Sequence, residues 1–377
     1  MAKSKITTNV PAAHAAGSDL SPASHCFRMP AEWEPHEAIW LGWPHNASDW
    51  PGKIAAIHFV YGEIVRRVID SEKARIIVND AAHEVKARAV LTKVGAMSEQ
   101  VEFFQIPSNR GWTRDFGPIF VSTACGSGRG NPASETAIAG FKFNAWAKYN
   151  DHELDSQIAK KIAKKLKKQY FPIKHNGKPF VLEGGAIDVN GKGDLLTTEE
   201  CLLDQTVQVR NPGLSKSETE AVLAASLGAT NVLWLNKGIV GDDTHGHIDD
   251  LCRFVDAKTV VLCRESNSKD ANYALLEENR ERLEGFRLQN RSKIHVEFLP
   301  MPEPLVYRGQ RLPASYANFL ITNSSVLVPT FNDPNDRIAL NKLAELFPKR
   351  KVIGIHAVDL VWGLGTLHCL SQQQPAI

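Results

Sequence analysis

Cysteine is scarce in this sequence. There are six in 377 residues (Cys26, Cys125, Cys201, Cys252, Cys263 and Cys369), and no two are spaced as C-x-x-C. That is too sparse for a disulfide framework, and reduced thiols in a cytoplasmic enzyme are expected. No apolar run approaches the ~20 residues that span a bilayer. Residues 1–26 are rich in Ala, Ser and Thr, carry no carboxylate before Asp19, and lack the apolar segment of a secretory signal. They are expected to be a mobile tail, with an organellar transit peptide left open. Charge of one sign is also missing, since the formal net charge is +2. Only Lys160–Lys168 concentrates lysine, and its Ile162, Ala163 and Leu166 recur at helical intervals. This reads as an amphipathic helix with a solvated basic face, so neither a nucleic-acid nor a membrane partner is expected.

What remains is an ordinary globular composition in a chain long enough for a large core. Order is expected from about Phe27. Residues 37–43 and 74–80 read as strands, and 54–71 and 81–94 as helices, with strand and helix alternating to the end, so the class is α/β. Several hairpins share one plan, in which a polar residue opens a strand, a short turn follows, and an apolar strand returns. Residues 183–189 turn at Asn190-Gly191. Residues 247–255 turn at Asp256-Ala257, and residues 316–321 at Asn323-Ser324. Asp115 opens another such strand and His368-Cys369-Leu370 the last. The openings recur every 50 to 70 residues or so, compatible with a repeated supersecondary unit.

Units arranged around an axis would bring their openings together. Asp115, Glu183, His247, Asp249, Asn318 and Cys369 would then meet in one central site. Alternate residues of a strand share a face, so His247 and Asp249 are expected to point the same way. Carboxylates, a histidine and a thiol suit a planar cation, because a guanidinium fork matches carboxylates bidentately. Asp115 and Asp249 would grip it, Cys369 would attack its central carbon, and His247 would move the protons. Glu183 would hold either the imidazole or the substrate. Two other readings stand beside this one. His245, His247, Asp249 and Asp250 contain enough ligands for a metal hydrolase, although not in an H-E-x-x-H pattern. A noncatalytic interaction module would leave the polar openings unexplained.

The motifs resemble the agmatine deiminase and bacterial peptidylarginine deiminase family of the guanidino-modifying pentein superfamily. The matching segments begin at Met29-Pro-Ala-Glu-Trp and Trp40-Leu-Gly-Trp-Pro. They continue with Trp112-Thr-Arg-Asp115-Phe-Gly-Pro, Leu182-Glu-Gly-Gly, Gly241-Asp-Asp-Thr-His-Gly-His-Ile-Asp249, Ser315-Tyr-Ala-Asn318 and His368-Cys369-Leu-Ser-Gln-Gln. The resemblance implies one domain, 27–377, folded as a five-bladed pseudo-symmetric ββαβ propeller (the pentein fold), with no cofactor and no metal. It places the nucleophile at Cys369, the acid/base at His247, the guanidinium carboxylates at Asp115 and Asp249, and a glutamate touching both histidine and substrate at Glu183. It further implies that Asp243 holds a distal amine and Trp112 lines the alkyl chain, with Asn318 and Gly365 bordering the substrate. The family reaction is agmatine plus water to N-carbamoylputrescine plus ammonia, a step toward putrescine. The runner-up is deimination of peptidyl arginine or another guanidino compound. A homodimer is left open. One departure stands out: the loop before the cysteine, Gly-rich in the family, reads Gly363-Leu364-Gly365 here, so Leu364 is expected to reshape the pocket rim.

Overall fold

The computed structural model describes residues 21–123 and 135–377. Among them, five sheets of three or four strands repeat one plan. Two strands pair as an antiparallel hairpin, and a helix then carries the chain to a third strand parallel to the second, as a parallel connection requires. Asp188–Val189 and Asp194–Thr198 form one hairpin, and helix Lys216–Leu227 crosses to Asn231–Leu235. Cys252–Phe254, Thr259–Arg264 and His295–Pro300 repeat this with helix Ala271–Gly285. Leu320–Ile321, Ser325–Thr330 and Lys351–His356 do so with helix Pro334–Leu346. Ile119–Thr123, Thr136–Gly140 and Tyr170–Pro172 form a fourth sheet with helix Ile158–Leu166, and Phe27–Arg28 is added at its edge. The fifth joins distant parts of the chain. Ser371–Pro375 lies antiparallel to His36–Gly42, which leads through helix Ile54–Val68 to Lys73–Val78 and through helix Ala81–Lys93 to Val101–Gln105.

Local sequence explains these boundaries. Ser215 and Glu218 form a reciprocal capping box at the start of one crossover helix, and Asp333 and Asp336 form another ahead of Pro334. Residues Ile39–Leu41 and Ile76–Val78 are fully or almost fully buried, as expected of strands covered on both faces. The lysine-rich segment is the expected amphipathic helix: Ile158, Ala159, Ile162 and Ala163 are buried, whereas Lys160, Lys164 and Lys165 are exposed. Of the expected tail, Ala23–His25 form a short 3-10 turn. Residues 1–20, and Cys125 elsewhere, lie outside the described residues.

The polar openings differ from the expectation in one respect, because they are not in strands. Asp115 lies in the single helical turn Thr113–Phe116, Glu183 caps the turn Gly184–Ala186, and His247 caps the turn Ile248–Asp250. The strands proper begin later, at Ile119, Asp188 and Cys252, and the last begins at Ser371, after Cys369. Strand alternation therefore does not align His247 with Asp249; a tight turn does.

Behind these turns, buried Arg253 joins three units. It pairs with Glu32 and Asp188 and donates to the carbonyls of Ala317 (3.2 Å) and Phe319 (3.1 Å). Losing one partner of such a network strands the others in a low-dielectric interior. Arg253→Ala is therefore expected to destabilise the fold by about 3–5 kcal/mol in urea unfolding. A loss below 1 kcal/mol would show that the network is not a structural tie.

Candidate active site

Five turns, one from each repeated unit, converge on a single point. Gly185 sits at its centre. A Cβ there would lie 2.5 Å from His247 Nδ1, 2.9 Å from Asp115 Oδ1 and 3.1 Å from Asp249 Oδ2, so only glycine fits. Its backbone N–H donates to Asp115 Oδ1 at 3.1 Å. Trp146 Nε1 donates to the other oxygen of Asp115 at 2.9 Å. Cys369 Sγ stands 3.7 Å from Asp249 Oδ2, and Asn318 Nδ2 donates to Sγ (3.0 Å) and to Asp250 Oδ1 (2.9 Å). The Asn318 carbonyl oxygen in turn accepts from Thr366 Oγ1 and from the backbone N–H of His368. This fixes the cysteine turn against its neighbour.

His247 is fully buried between two sets of carboxylates. Nδ1 faces Asp115 Oδ1 (3.8 Å) and Asp249 Oδ1 (3.9 Å), and Nε2 faces Glu183 Oε2 (3.9 Å). Both ring nitrogens, Glu183 Oε2 and Asp249 Oδ1 have no hydrogen-bond partner among the described residues. Burial alone would make the imidazole less basic. Asp115, Cys201 and Glu183 outweigh it and hold the pKa well above the usual histidine value. Burial pushes Asp115 up to about 6, aided by Asp249 and Glu183 and opposed by His247 and Trp146. Burial would raise Glu183 as well, but Arg210, at 3.2 Å, and His247 bring it down to about 2. Asp249 is held below the usual range despite burial because His368 Nδ1 lies 2.6 Å away; His368 Nε2 reaches Glu32 at 2.8 Å. Burial, and then the charges of Asp249, Asp250 and Asp115, push the Cys369 thiol well above its ordinary value.

A cleft of about 230 Å³ opens from Cys369 and Asp115 toward the surface. Trp112, Trp146, Tyr149, Thr244, Trp362 and Leu364 line its walls, and Asp49, Arg110 and Asp243 also border it. A Cβ on Gly365 would come within 2.8 Å of Trp112 and 3.0 Å of Cys369, so the glycine lets the loop approach both. Leu364 holds a left-handed φ of 68° while lining the wall, a conformation that costs a non-glycine residue about 1–2 kcal/mol. Ala145, Trp146 and Ala147 share it, at 50°, 57° and 53°.

The structure thus brings together Asp115, Glu183, His247, Asp249, Asn318 and Cys369, with Trp112 and Asp243 along the cleft and Gly365 packed against Trp112 and Cys369. It assembles the metal-hydrolase set only in part, since Asp249 and Asp250 gather with Cys369, their ligand atoms within 4.8 Å of one another, without His245. His245 turns away to Asp204 (2.8 Å), and Asp250 faces Asn318. Sequence reasoning missed Glu32, Arg210 and His368, which orient or charge the central groups. Two of them lie inside the motifs already noted, Glu32 after Met29-Pro and His368 beside Cys369, but nothing in local spacing says that they meet. It also missed Trp146, the donor to Asp115.

A buried thiol, a buried histidine and several carboxylates thus meet at the turns of the repeated units. The chain belongs to the Porphyromonas-type peptidyl-arginine deiminase family, which matches residues 28–375. It is 36% identical to an agmatine deiminase of Medicago truncatula over 384 residues, covering 95% of this chain and 98% of that one. An agmatine deiminase structure from Enterococcus faecalis superposes with a TM-score of 0.85 at 30% identity, covering 96% of this chain and 98% of that one. A C. jejuni agmatine deiminase with substrate bound gives a TM-score of 0.79 at 31% identity, covering 92% and 96%. Among the described residues no helix is long and apolar enough to cross a membrane.

The raised thiol pKa has a direct test. Alkylation of Cys369 by iodoacetamide is expected to be slow at neutral pH and to accelerate as pH rises. Asp249→Asn removes the charge that contributes most after burial, and should speed alkylation at pH 7 by about tenfold for each unit the thiol pKa falls. Mass-spectrometric mapping of the modified site checks this. A slower or unchanged rate in the variant would remove Asp249 as the cause.

Proposed function

We propose that this chain hydrolyses agmatine to N-carbamoylputrescine and ammonia through a covalent bond to Cys369. The observation that carries the reading is the convergence of Asp115, His247, Asp249 and Cys369 on one point, where Asp115 and Cys369 border the cleft and His247 and Asp249 are buried behind them. The unpartnered Asp249 Oδ1 and Glu183 Oε2 are acceptors suited to the N–H fork of a guanidinium. The relatives called agmatine deiminases, alike over nearly the whole chain, support the choice of substrate. We read the five sheets as blades of a pseudo-symmetric propeller forming one catalytic domain, 27–377, because their opening turns share this single site. Free thiols at Cys26, Cys201, Cys252, Cys263 and Cys369 fit a cytoplasmic setting.

In this reading Asp115 and Asp249 hold the guanidinium. Its positive charge offsets the carboxylates that keep the thiol protonated, so substrate binding itself promotes the thiolate. The thiol proton leaves to solvent. Sγ bonds to the guanidinium carbon, and the imidazolium of His247 gives a proton to one nitrogen. The carbon–nitrogen bond breaks, ammonia departs, and an S-alkylthiouronium cation remains. His247, now neutral, takes a proton from water as its oxygen attacks the same carbon. The carbon–sulfur bond then breaks, releasing the urea product, and the sulfur regains a proton. Glu183 balances the imidazolium on its far side. Asn318 and Gly365 hold the cysteine turn, and Trp112 lines the alkyl chain. No metal has a step in this scheme, and activity should survive EDTA.

One observation favours a second reading. Arg110 pairs with Asp49, and Lys148 with Asp243, so the outer cleft holds cations as well as acids. A carboxylate-bearing tail, as in free or peptidyl arginine, would find partners there. An ammonia-release screen with agmatine, free arginine and arginine peptides separates the two. Agmatine should be preferred, and equal kcat/KM for a peptide would promote the second reading.

Cys369→Ala is expected to abolish ammonia release while leaving the protein folded, as circular dichroism would report. Asp115→Asn should cost at least ~10²-fold in kcat/KM, the consequence of leaving a buried cation undercompensated. Asp115 is protonated below about pH 6 and ionised above it. The guanidinium needs the ionised form, so kcat/KM should fall as pH drops through about 6. Stability moves the other way. A carboxyl raised in the folded state favours folding at low pH, and that contribution is lost as pH rises through 6. A flat kcat/KM between pH 5 and 7 would rule Asp115 out as the titrating anchor.

A further inference from the structure

Asp243, the carboxylate expected to meet the distal amine, is already in contact with an ammonium of the protein itself. Lys148 Nζ lies 2.5 Å from Asp243 Oδ1, and Tyr149 donates its hydroxyl to Oδ2 at 2.6 Å. The two partners are held differently. The Lys148 side chain is 39% exposed, against 16% for Asp243, and it sits on a flexible four-carbon stem. It can move into water without stranding its own charge. Tyr149 is fixed by the guanidinium of Arg110, 4.6 Å above its ring, and by edge contact with Trp146 at 5.9 Å. Asp243 therefore keeps its position when Lys148 leaves.

The segment that presents Lys148 is itself unusual. Three successive left-handed residues, Ala145–Ala147, precede it, and strain of this kind persists only where surrounding contacts impose it. Trp146 anchors the turn to Asp115, and Asn144 caps it by accepting from the N–H of Ala147 at 3.0 Å. One short stretch thus reaches the guanidinium end of the cleft through Trp146 and the outer end through Lys148 and Tyr149.

We infer that Lys148 is an internal competitor for the distal ammonium and is a specificity-determining residue, which rests on the agmatine reading above. An amine tail binds by exchange, with the ligand ammonium taking the Oδ1 contact as Lys148 swings to solvent. A guanidine with an uncharged tail has nothing to exchange and leaves the ion pair in place. Lys148 lowers affinity for the amine and makes it depend on a carboxylate that is otherwise occupied.

Lys148→Met keeps the length of the stem and removes the charge. KM for agmatine is expected to fall about three- to fivefold, the upper part of the range for a half-exposed ion pair, with kcat within twofold. Kinetics on n-butylguanidine, which lacks the amine, should shift less than twofold. Calorimetry of agmatine binding to Cys369→Ala, with and without Lys148→Met, should show the same tightening without turnover. An unchanged or higher KM for agmatine, or an equal shift with n-butylguanidine, overturns the exchange. So does calorimetry that shows no difference, including no binding by either protein. Wild-type protein that releases ammonia from no guanidine sinks the proposed activity instead, and the calorimetric pair still decides the exchange.

Discussion

The fold is organised around one electrostatic constraint, which is to accommodate a knot of carboxylates deep in the protein. Glu32, Asp115, Glu183, Asp188, Asp249 and Asp250 are all buried. Removing such groups from water is unfavourable unless cations and hydrogen bonds meet them. Arg253 answers Glu32 and Asp188, Arg210 answers Glu183, and His368 answers both Asp249 and Glu32. The Arg253–Asp188 and His368–Asp249 contacts cross between repeated units, whereas Arg210 and Glu183 belong to the same one. The polar centre therefore helps tie the sheets together, alongside apolar clusters that themselves span more than one unit.

That compensation is uneven, and the unevenness is what makes chemistry available. Toward the back, Glu183 and Asp249 have firm partners and low pKa values. Toward the cleft, Asp115 titrates at about 6 and the thiol is held neutral. A cation entering from the cleft meets the undercompensated side. In the proposed reaction recognition is thereby coupled to activation, since the same positive charge that satisfies the carboxylates favours the thiolate.

Much of this was legible in the sequence because the repeat spaces chemically distinctive residues at regular intervals. Asp115, Glu183, His247 and Asn318 each precede a hairpin with an apolar returning strand, Cys369 precedes the last strand, and that pattern survives without coordinates. The local geometry was misread because a helical turn and a strand start look alike over three or four residues. Ile248–Asp250 has no period long enough to tell them apart. The supporting groups were not legible for a different reason. Glu32 and His368 lie 336 residues apart, and only the closing of the chain makes them neighbours. Lys148 gave no signal either, because its role depends on a three-residue backbone conformation that sequence preference argues against.

The pairing of Ser371–Pro375 with His36–Gly42 carries a consequence for synthesis. Trp40 and Gln374, bonded side chain to side chain across that sheet, are 334 residues apart in the chain. While a ribosome is still making the middle of the protein, strand His36–Gly42 has one open edge and no nucleophile beside it. The nascent chain must keep that edge from pairing with neighbours until the last strand arrives. Cys369 stands two residues before Ser371–Pro375, so its placement among the buried carboxylates and the closing of this sheet are one event.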